Sequence, residues 1–391
     1  MATKKTKSKA KSAAKKAVKQ SVRNAKKGKY GGIVAIVLVL ILGIALFGGY
    51  QFGLFDGLFH REDEKTTSPV VVDTDELSVH FLELGNWYTG DCTYIKIGTV
   101  DILIDAGSRA SSAQAITEYV NQYCTDGVLE YVIATHAHQD HIAGFVGTKE
   151  FPGIFEQFEC ETIIDFPRTD ATSQVYRNYC EKRDAEVAKG AKHYTALECY
   201  ENKNGAQRKY TLAEGVELEI LYQKFYEEKT SDENNYSVCC MINQGNQHYL
   251  FTGDLEGDGE ESLVQMNNLP HCTLFKAGHH GSRTSTTYAL LDEITPEVVC
   301  VCCCAGSDEY TATNKNQFPT QEFCTRVSDY TDKVYVTSLS LDNEKKEFTS
   351  MNGNIVFSSK GDGYTVRCSA NDTLLKDTEW FKENRVWGEP E

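Results

Sequence analysis

The first 55 residues of this 391-residue chain contain no aspartate or glutamate. From Tyr30 to Phe55 there is no lysine, arginine or histidine either. That uncharged stretch includes IVAIVLVLILGIALF, and with its flanks it supplies the roughly 20 residues a bilayer-spanning helix needs at ~1.5 Å each. A cleaved signal would have a shorter apolar core of about 7–15 residues. This run is longer and continues into GGYQFGLF, so an uncleaved anchor is expected. Several catalytic signatures are also missing. No GxxxxGKS, no GxSxG and no GxGxxG opening a helix occurs, which sets aside P-loop, serine-hydrolase and dinucleotide-binding chemistry. The 14 cysteines, all from Cys92 onward, show no short repeated spacing of a small disulfide scaffold. Four lie in VVCVCCCAG (298–306), which reads as a buried strand using Cys as a small hydrophobe. Alternation then puts Cys300, Cys302 and Cys304 on one face and Cys303 on the other. Internal repeats and low-complexity segments are absent from the body.

What is present divides by charge. Residues 1–30 carry 12 of the 40 Lys/Arg, leaving 28 beside all 56 Asp/Glu, a net −28 for the rest. A lysine-rich flank stays cytoplasmic, so the acidic body is expected outside the cell membrane. The basic flank also suits contact with anionic lipid. The expected organisation is a basic cytoplasmic tail (1–30), one transmembrane helix (31–55), a polar linker (56–76), a globular domain (77–370) and a C-terminal tail (371–391).

The globular part is rich in strand patterns. SVHFLELG, TYIKIG, VDILIDAG and LEYVIATH come early, and VELEILYQ, YSVCCMINQ, QHYLFTGD, CTLFKAGHH and EVVCVCCCAG later. Helical spacing appears in ASSAQAITEYVNQYC, GDGEESLVQMNN and STTYALLDEI. Strands mixed with helices, without steady βαβ alternation, predict an α+β body of two sheets with helices packed outside.

One stretch carries an unusual density of metal-binding side chains: ATHAHQDHIAG, with His136, His138, Asp140 and His141. Residues two apart on an extended backbone point the same way, so His136 and His138 can share one ion. Asp140 and His141, at the turn, can face a second. Two ions so held would bracket a shared hydroxide and clamp an attacked phosphoryl or carbonyl oxygen. FTGD ends a strand at Asp254, and KAGHHGS ends another at His279 and His280. Ligands at several strand ends require a site at one rim of a sheet pair.

THAHQDHIAG, FTGD and FKAGHHGSRTS, in this order, resemble the metallo-β-lactamase fold of metallohydrolases. More narrowly, they resemble the outward domain of bacterial competence (DNA-uptake) channel proteins. HFLELG followed by GDC, ILIDAG, NNYSVCCMI and FTSMNGNIVFSSKGDGYTV support the likeness, which spans about residues 77–368. The resemblance implies a four-layer αββα sandwich holding one or two divalent ions, Zn or Mn. His136, His138, Asp140, His141, Asp254 and His279 would be the ligands, with Asp105 orienting them. Asp140 and Asp254 would also serve catalysis, and Lys276 or His280 would stabilise or protonate the leaving oxygen. Asn235, Ser237, Ser282 and Ser285 would contact substrate.

The pattern departs from the family in places. Of the histidines between the cluster and Asp254, His193 lacks a ligand context and His248 sits near a strand start. Phe318, in NKNQFP, stands where the branch tends to have histidine. Histidine rather than glutamate at 138 argues against oxygen-reducing di-iron relatives. The expected activity is therefore metal-dependent hydrolysis of phosphodiester, nucleic-acid-like substrates. Hydrolysis of small esters, thioesters or lactams is the alternative, and a catalytically weak surface binding or sensing module is the third reading. No set of channel-forming spans accompanies the body, so it is not expected to be a whole DNA-uptake protein by itself, and a separate channel partner is left open and unidentified.

Overall fold

The structure is a computed structural model that describes residues 76–388. The expected basic tail, membrane span and nearly all of the linker lie outside the described residues. No helix among the described residues is long and apolar enough to cross a membrane.

Two eight-stranded sheets form the body. The first runs β16 (Tyr364–Cys368), β15 (Ile355–Ser359), β1 (Leu77–Phe81), β2 (Thr93–Ile97), β3 (Val100–Ile104), β4 (Val128–Ile133), β5 (Glu159–Asp165) and β6 (Lys192–Thr195). The second runs β14 (Glu347–Ser350), β13 (Val334–Asp342), β12 (Val298–Ala305), β11 (Leu274–Lys276), β10 (Gln247–Phe251), β9 (Cys239–Gln244), β8 (Val216–Leu221) and β7 (Lys209–Ala213). Alternation along the strands sorts their side chains into two cores. Ile220, Cys240, Ile242, Cys300 and Cys302 join the core shared with the first sheet, while Leu221, Cys239, Met241, Val299, Val301 and Cys303 face the other way. Across the sheets the Tyr249 and Phe357 rings meet edge to face at 5.2 Å.

Helices cover the outer faces. Ile116 and Val120 of α1 (Ser112–Val120), Ile142 and Phe145 of α2 (Gln139–Val146), and Tyr179 of α4 (Gln174–Lys189) pack on the first sheet, with the short α3 (Ile154–Gln157) beside them. After α5 (Ala196–Glu201), helices α6 (Gly257–Met266), α7 (Tyr288–Ile294) and α8 (Gln321–Ser328) supply Leu263, Leu290, Leu291, Phe323 and Val327 to the outer core of the second sheet. The result is the αββα layering expected from the strand patterns.

The cysteine-rich strand is buried throughout, and Cys300, Cys302 and Cys303 face as alternation predicts. A register shift against β13 falls between Val301 and Cys304, so strict alternation does not continue through Cys304. All 14 cysteines are free. Residues 371–388, set apart as a tail in the sequence, pack onto the body. Leu375 and Phe381, the latter in α9 (Glu379–Asn384), are buried in the outer core. The Arg385 guanidinium donates to the carbonyls of Pro319, Asn314 and Gln317. The domain therefore extends past Ala370 to the last described residue.

Parallel pairing positions the site. β3, β4 and β5 are mutually parallel, as are β10, β11 and β12, so their carboxyl ends share one rim in each sheet. ID at Asp105, ATHAH at His136, FTGD at Asp254 and KAGHH at His279 and His280 all follow such ends. The rims are tied directly, Val238 N–H donating to the Thr135 carbonyl at 2.9 Å.

Candidate metal centre

The backbone leaving β3 turns sharply at Asp105, a non-glycine residue with φ of +60°. Its carboxylate accepts from Thr135 N–H at 2.8 Å and from Thr135 Oγ1 at 2.7 Å. The same Oδ2 lies 2.7 Å from His141 Nδ1. A carboxylate on Nδ1 fixes the ring's tautomer and presents Nε2 outward, as ligand histidines require. His141 Nε2 then faces Asp254 Oδ2 at 3.1 Å.

Helix α2 holds the rest of the cluster. His138 is its N-cap and Asp140 lies in its first turn, where the helix dipole favours negative charge. The helix docks through Ala106 N–H on the His141 carbonyl and Gly144 N–H on the Ala106 carbonyl, both 2.7 Å. A Cβ at Gly144 would sit 2.2 Å from the Ala106 oxygen, so only glycine fits this approach. In the second sheet, Gly253 has φ of +55°, and a Cβ there would crowd Thr135 and Ser237 at 2.8–3.0 Å. That glycine lets the Asp254 turn close against the first sheet.

The donors fall into two groups. His136 Nε2 and His138 Nδ1 are 3.0 Å apart. Asp91, His141, Asp254 and His280 each place a donor atom within 4.8 Å of the others. His280 Nε2 lies 3.3 Å from Asp254 Oδ2 and 3.4 Å from Asp140 Oδ2. Tetrahedral coordination with bonds of ~2 Å separates its ligands by about 3.3 Å, close to the spacing of His136 with His138 and of Asp254 with His141 and His280.

Charge points the same way. Asp91, Asp105, Asp140 and Asp254 are buried carboxylates, and Lys276 is the buried lysine among them. Several carboxylates out of water with one lysine call for a further cation. In the protein alone the histidines supply it. Burial works against protonation of His141, but Asp254 and then Asp105 hold its pKa well above the ordinary 6.5. His280 is raised likewise, burial being outweighed by Asp254 and Asp91. His136 is pushed the other way, by burial and then by the neighbouring His141, and stays a neutral donor. Burial opposes ionisation of Asp254, yet His141 and His280 keep it well below the usual carboxylate range. The buried Nε2 atoms of His141 and His280 and Oδ1 of Asp254 make no hydrogen bond. Those orphaned lone-pair atoms, beside excess carboxylate, fit a bound divalent ion, which would displace the histidine protons.

The two adjacent histidines take different places from those expected. His279 and His280 both have left-handed backbone, φ of +46° and +54°. His280 Nδ1 donates to the Cys302 carbonyl at 2.9 Å, which directs Nε2 into the donor group. His279 is partly exposed, with Nδ1 3.2 Å from Glu256 Oε1 and Nε2 4.0 Å from Asp254 Oδ2. His280 Nε2 thus lies inside the donor group, whereas His279, drawn as a ligand from the sequence, lines the cleft beside it.

Lys276 is not placed to meet a substrate. It is buried, ion-paired with Asp91, and its Nζ donates to the Gly253 carbonyl at 3.3 Å. Ser237 and Ser285 are fully buried. Ser237 Oγ accepts from Asp254 N–H at 3.0 Å, and Ser285 Oγ donates to the Leu255 carbonyl at 2.6 Å. Asn235 Oδ1 accepts from Glu256 N–H at 3.1 Å, and Ser282 Oγ accepts from Thr284 N–H at 3.3 Å. All four groups expected to contact substrate are engaged in shaping the loops that carry Asp254 and the two histidines. His193 Nε2 faces Asp165 at 2.9 Å, and His248 Nδ1 faces Asn243 Oδ1 at 2.7 Å, so neither joins the donors.

Two residues were missed in the sequence. Asp91, from GDC, pairs with Lys276 and lies 3.3 Å from His280 Nδ1. Tyr310 donates its phenol to Asp140 Oδ2 at 2.6 Å from the mouth of the cleft. That cleft, about 440 Å³, is lined by Arg109, His138, Asp140, Asp254, His279, Glu309 and Tyr310 among others. Phe318 packs its ring 5.7 Å from both His279 and His280.

Residues 85–151 match the Metallo-beta-lactamase superfamily. The described body is a metallo-β-lactamase-type α+β fold. Its sequence is similar to competence protein ComA of Neisseria gonorrhoeae, 26% identical over 276 residues, covering 70% of this chain and 32% of that protein. It is similar also to recombination protein 2 of Haemophilus influenzae, 24% identical over 215 residues, 54% of this chain and 23% of that one. The matches thus span a third or less of these relatives. Among solved structures, the metallo-beta-lactamase fold protein YhfI from Bacillus subtilis aligns with a TM-score of 0.42 at 11% identity, covering 73% of this chain and all of that one. Metallo-β-lactamase-type domains typically hold one or two divalent metals, and this body contains a buried His/Asp donor group.

Proposed function

We propose that this metallo-β-lactamase-type domain is a metal-dependent phosphodiesterase held at the outer face of a membrane by residues 31–55. The reading is carried by the pairs His141–Asp254, His280–Asp254 and His280–Asp140, 3.1–3.4 Å apart at ligand spacing, with Asp140 and Asp254 lining the cleft. His136 and His138 would hold a first ion and this group a second, with Zn or Mn as the expected metals. When bound, the ions supply Lewis acidity toward the substrate's phosphoryl oxygens and a water of lowered pKa. The chain's own groups do the rest. Asp105 holds His141 in its donor tautomer, and Asp91 with Lys276 supports His280. Tyr310 anchors the Asp140 carboxylate through its phenol. His279 on the cleft wall is placed to hydrogen-bond a substrate oxygen.

The similarity to competence and recombination proteins supports a nucleic-acid-like phosphodiester. One observation favours a small substrate instead: the net −28 outside the basic tail, 28 bases against 56 acids, repels a long polyanion. The test assays single-stranded DNA, bis(p-nitrophenyl) phosphate, chromogenic carboxylic esters and nitrocefin with Mn²⁺ or Zn²⁺. Hydrolysis of the phosphodiester by wild type and its loss in Asp254→Ala is the expected result. Turnover confined to the esters or nitrocefin contradicts it. Anchoring is tested by alkaline extraction of membranes, which should leave the full chain in the pellet.

A further inference from the structure

A second cavity, about 560 Å³, adjoins the cleft and shares His138 and Gln139 with it. Its far walls are two loops. One carries Asp170, Thr172 and Ser173 after β5, and the other carries Thr230, Ser231 and Glu233 before β9. Glu233 ties the loops together, accepting from Thr169 Oγ1 at 2.5 Å and from Asp170 N–H at 3.1 Å. Ala137, Ala171, Val175 and Tyr236 give the cavity an apolar component.

The lining combines hydroxyls and two carboxylates, and among the described residues no lysine or arginine faces it. A groove for a nucleic-acid strand has the opposite chemistry, with basic side chains along the backbone path and exposed aromatics for the bases. Tyr236, the aromatic present, is buried, its hydroxyl donating to the Thr230 carbonyl at 3.3 Å. In the adjoining cleft the one guanidinium, Arg109, is already paired with Glu309 at 2.5 Å and lies over the Tyr88 ring. A phosphate flanked by further phosphates would meet Asp170 and Glu233 with no lysine or arginine beside them. An uncharged or cationic alcohol would meet hydroxyls, carboxylates and apolar carbons. The volume falls in the ~300–1,000 Å³ range of small-molecule sites.

We infer that this cavity is the subsite for the second alcohol of a small phosphodiester, and that it selects a polar group without negative charge. The assignment rests on the phosphodiesterase reading above and narrows it. The centre holds the phosphate, and the arm beyond His138 and Gln139 holds the alcohol.

The experiment uses the Mn²⁺-supplemented full chain and p-nitrophenyl phosphodiesters whose second alcohol is choline, glycerol or glycerate, with bis(p-nitrophenyl) phosphate as reference. Glycerol and glycerate differ in little but a carboxylate. The choline and glycerol diesters should show kcat/KM at least tenfold above the glycerate diester. Asp170→Lys, at an exposed loop position, should shrink the glycerol-to-glycerate ratio at least threefold. Equal turnover of glycerol and glycerate diesters, or a ratio unmoved by Asp170→Lys, overturns the subsite while turnover of the reference leaves the phosphodiesterase reading standing. No turnover of any diester, the reference included, overturns that reading and the subsite with it.

Discussion

Asp105 Oδ2 and His141 Nδ1 lie 2.7 Å apart, joining the end of one strand to the first turn of the helix that follows its neighbour. The contact sets which nitrogen of His141 is free, and so which way a metal can be held. Asp105→Asn keeps the shape but loses the charge that fixes this tautomer. Metal affinity, followed by titration with a chelating competitor, should fall about 10–100-fold, with diester turnover falling alongside.

The adjacent histidines separate cleanly by experiment. His280→Ala removes a donor 3.3 Å from Asp254 Oδ2, whereas His279→Ala removes a cleft-wall ring 4.0 Å away. Metal content by plasma mass spectrometry should drop in His280→Ala and stay near wild type in His279→Ala, whose loss should appear in turnover. The opposite pattern would return the donor role to His279.

The Asp91–Lys276 pair makes a stability prediction. Both side chains are buried, so Lys276→Met strands a carboxylate out of water. Breaking a buried pair from one side costs about 3–5 kcal/mol, while replacing both partners costs much less. Urea unfolding of the metal-free protein should show that loss in Lys276→Met and partial recovery in Asp91→Asn with Lys276→Met.

Acid should destabilise the body through His80. Burial lowers its pKa from 6.5 to about 4, and its ring nitrogens contact Tyr119 Oη and Ser78 Oγ, each at 2.8 Å. The folded state thus binds this proton less readily than the unfolded chain. The stabilisation is present above pH 6.5 and is lost as pH falls toward 4, a change of roughly 3 kcal/mol. His80→Phe should flatten the stability profile across that interval, measured by urea unfolding at half-unit steps.

Much of the site was legible because its donors are compressed into short strings at strand ends. HxHxDH, TGD and GHHG each sit where an apolar run stops, and parallel pairing then brings those ends to one rim. Asp91 was not legible in this way. A lone aspartate in GDC has no spacing partner, and its meaning comes from Lys276, almost two hundred positions on. His279 and His280 could not be ranked either, because two successive left-handed residues break the alternation that assigns side chains to faces. Ser237 and Ser285 read as substrate contacts because hydroxyls near a site look alike in sequence. Burial against Asp254 N–H and the Leu255 carbonyl tells them apart. The last segment has little hydrophobic periodicity, and its docking depends on isolated anchors such as Leu375, Phe381 and Arg385.

The most direct measurement is anomalous diffraction from crystals of the body grown with Zn²⁺ or Mn²⁺, collected at the metal edge. Binding as described predicts a peak within about 2.0–2.3 Å of His141 Nε2, His280 Nε2 and a carboxylate oxygen of Asp254, with any second ion at His136 and His138. Crystals without a peak among these residues, or with the ion between His279 and Glu256, would contradict it.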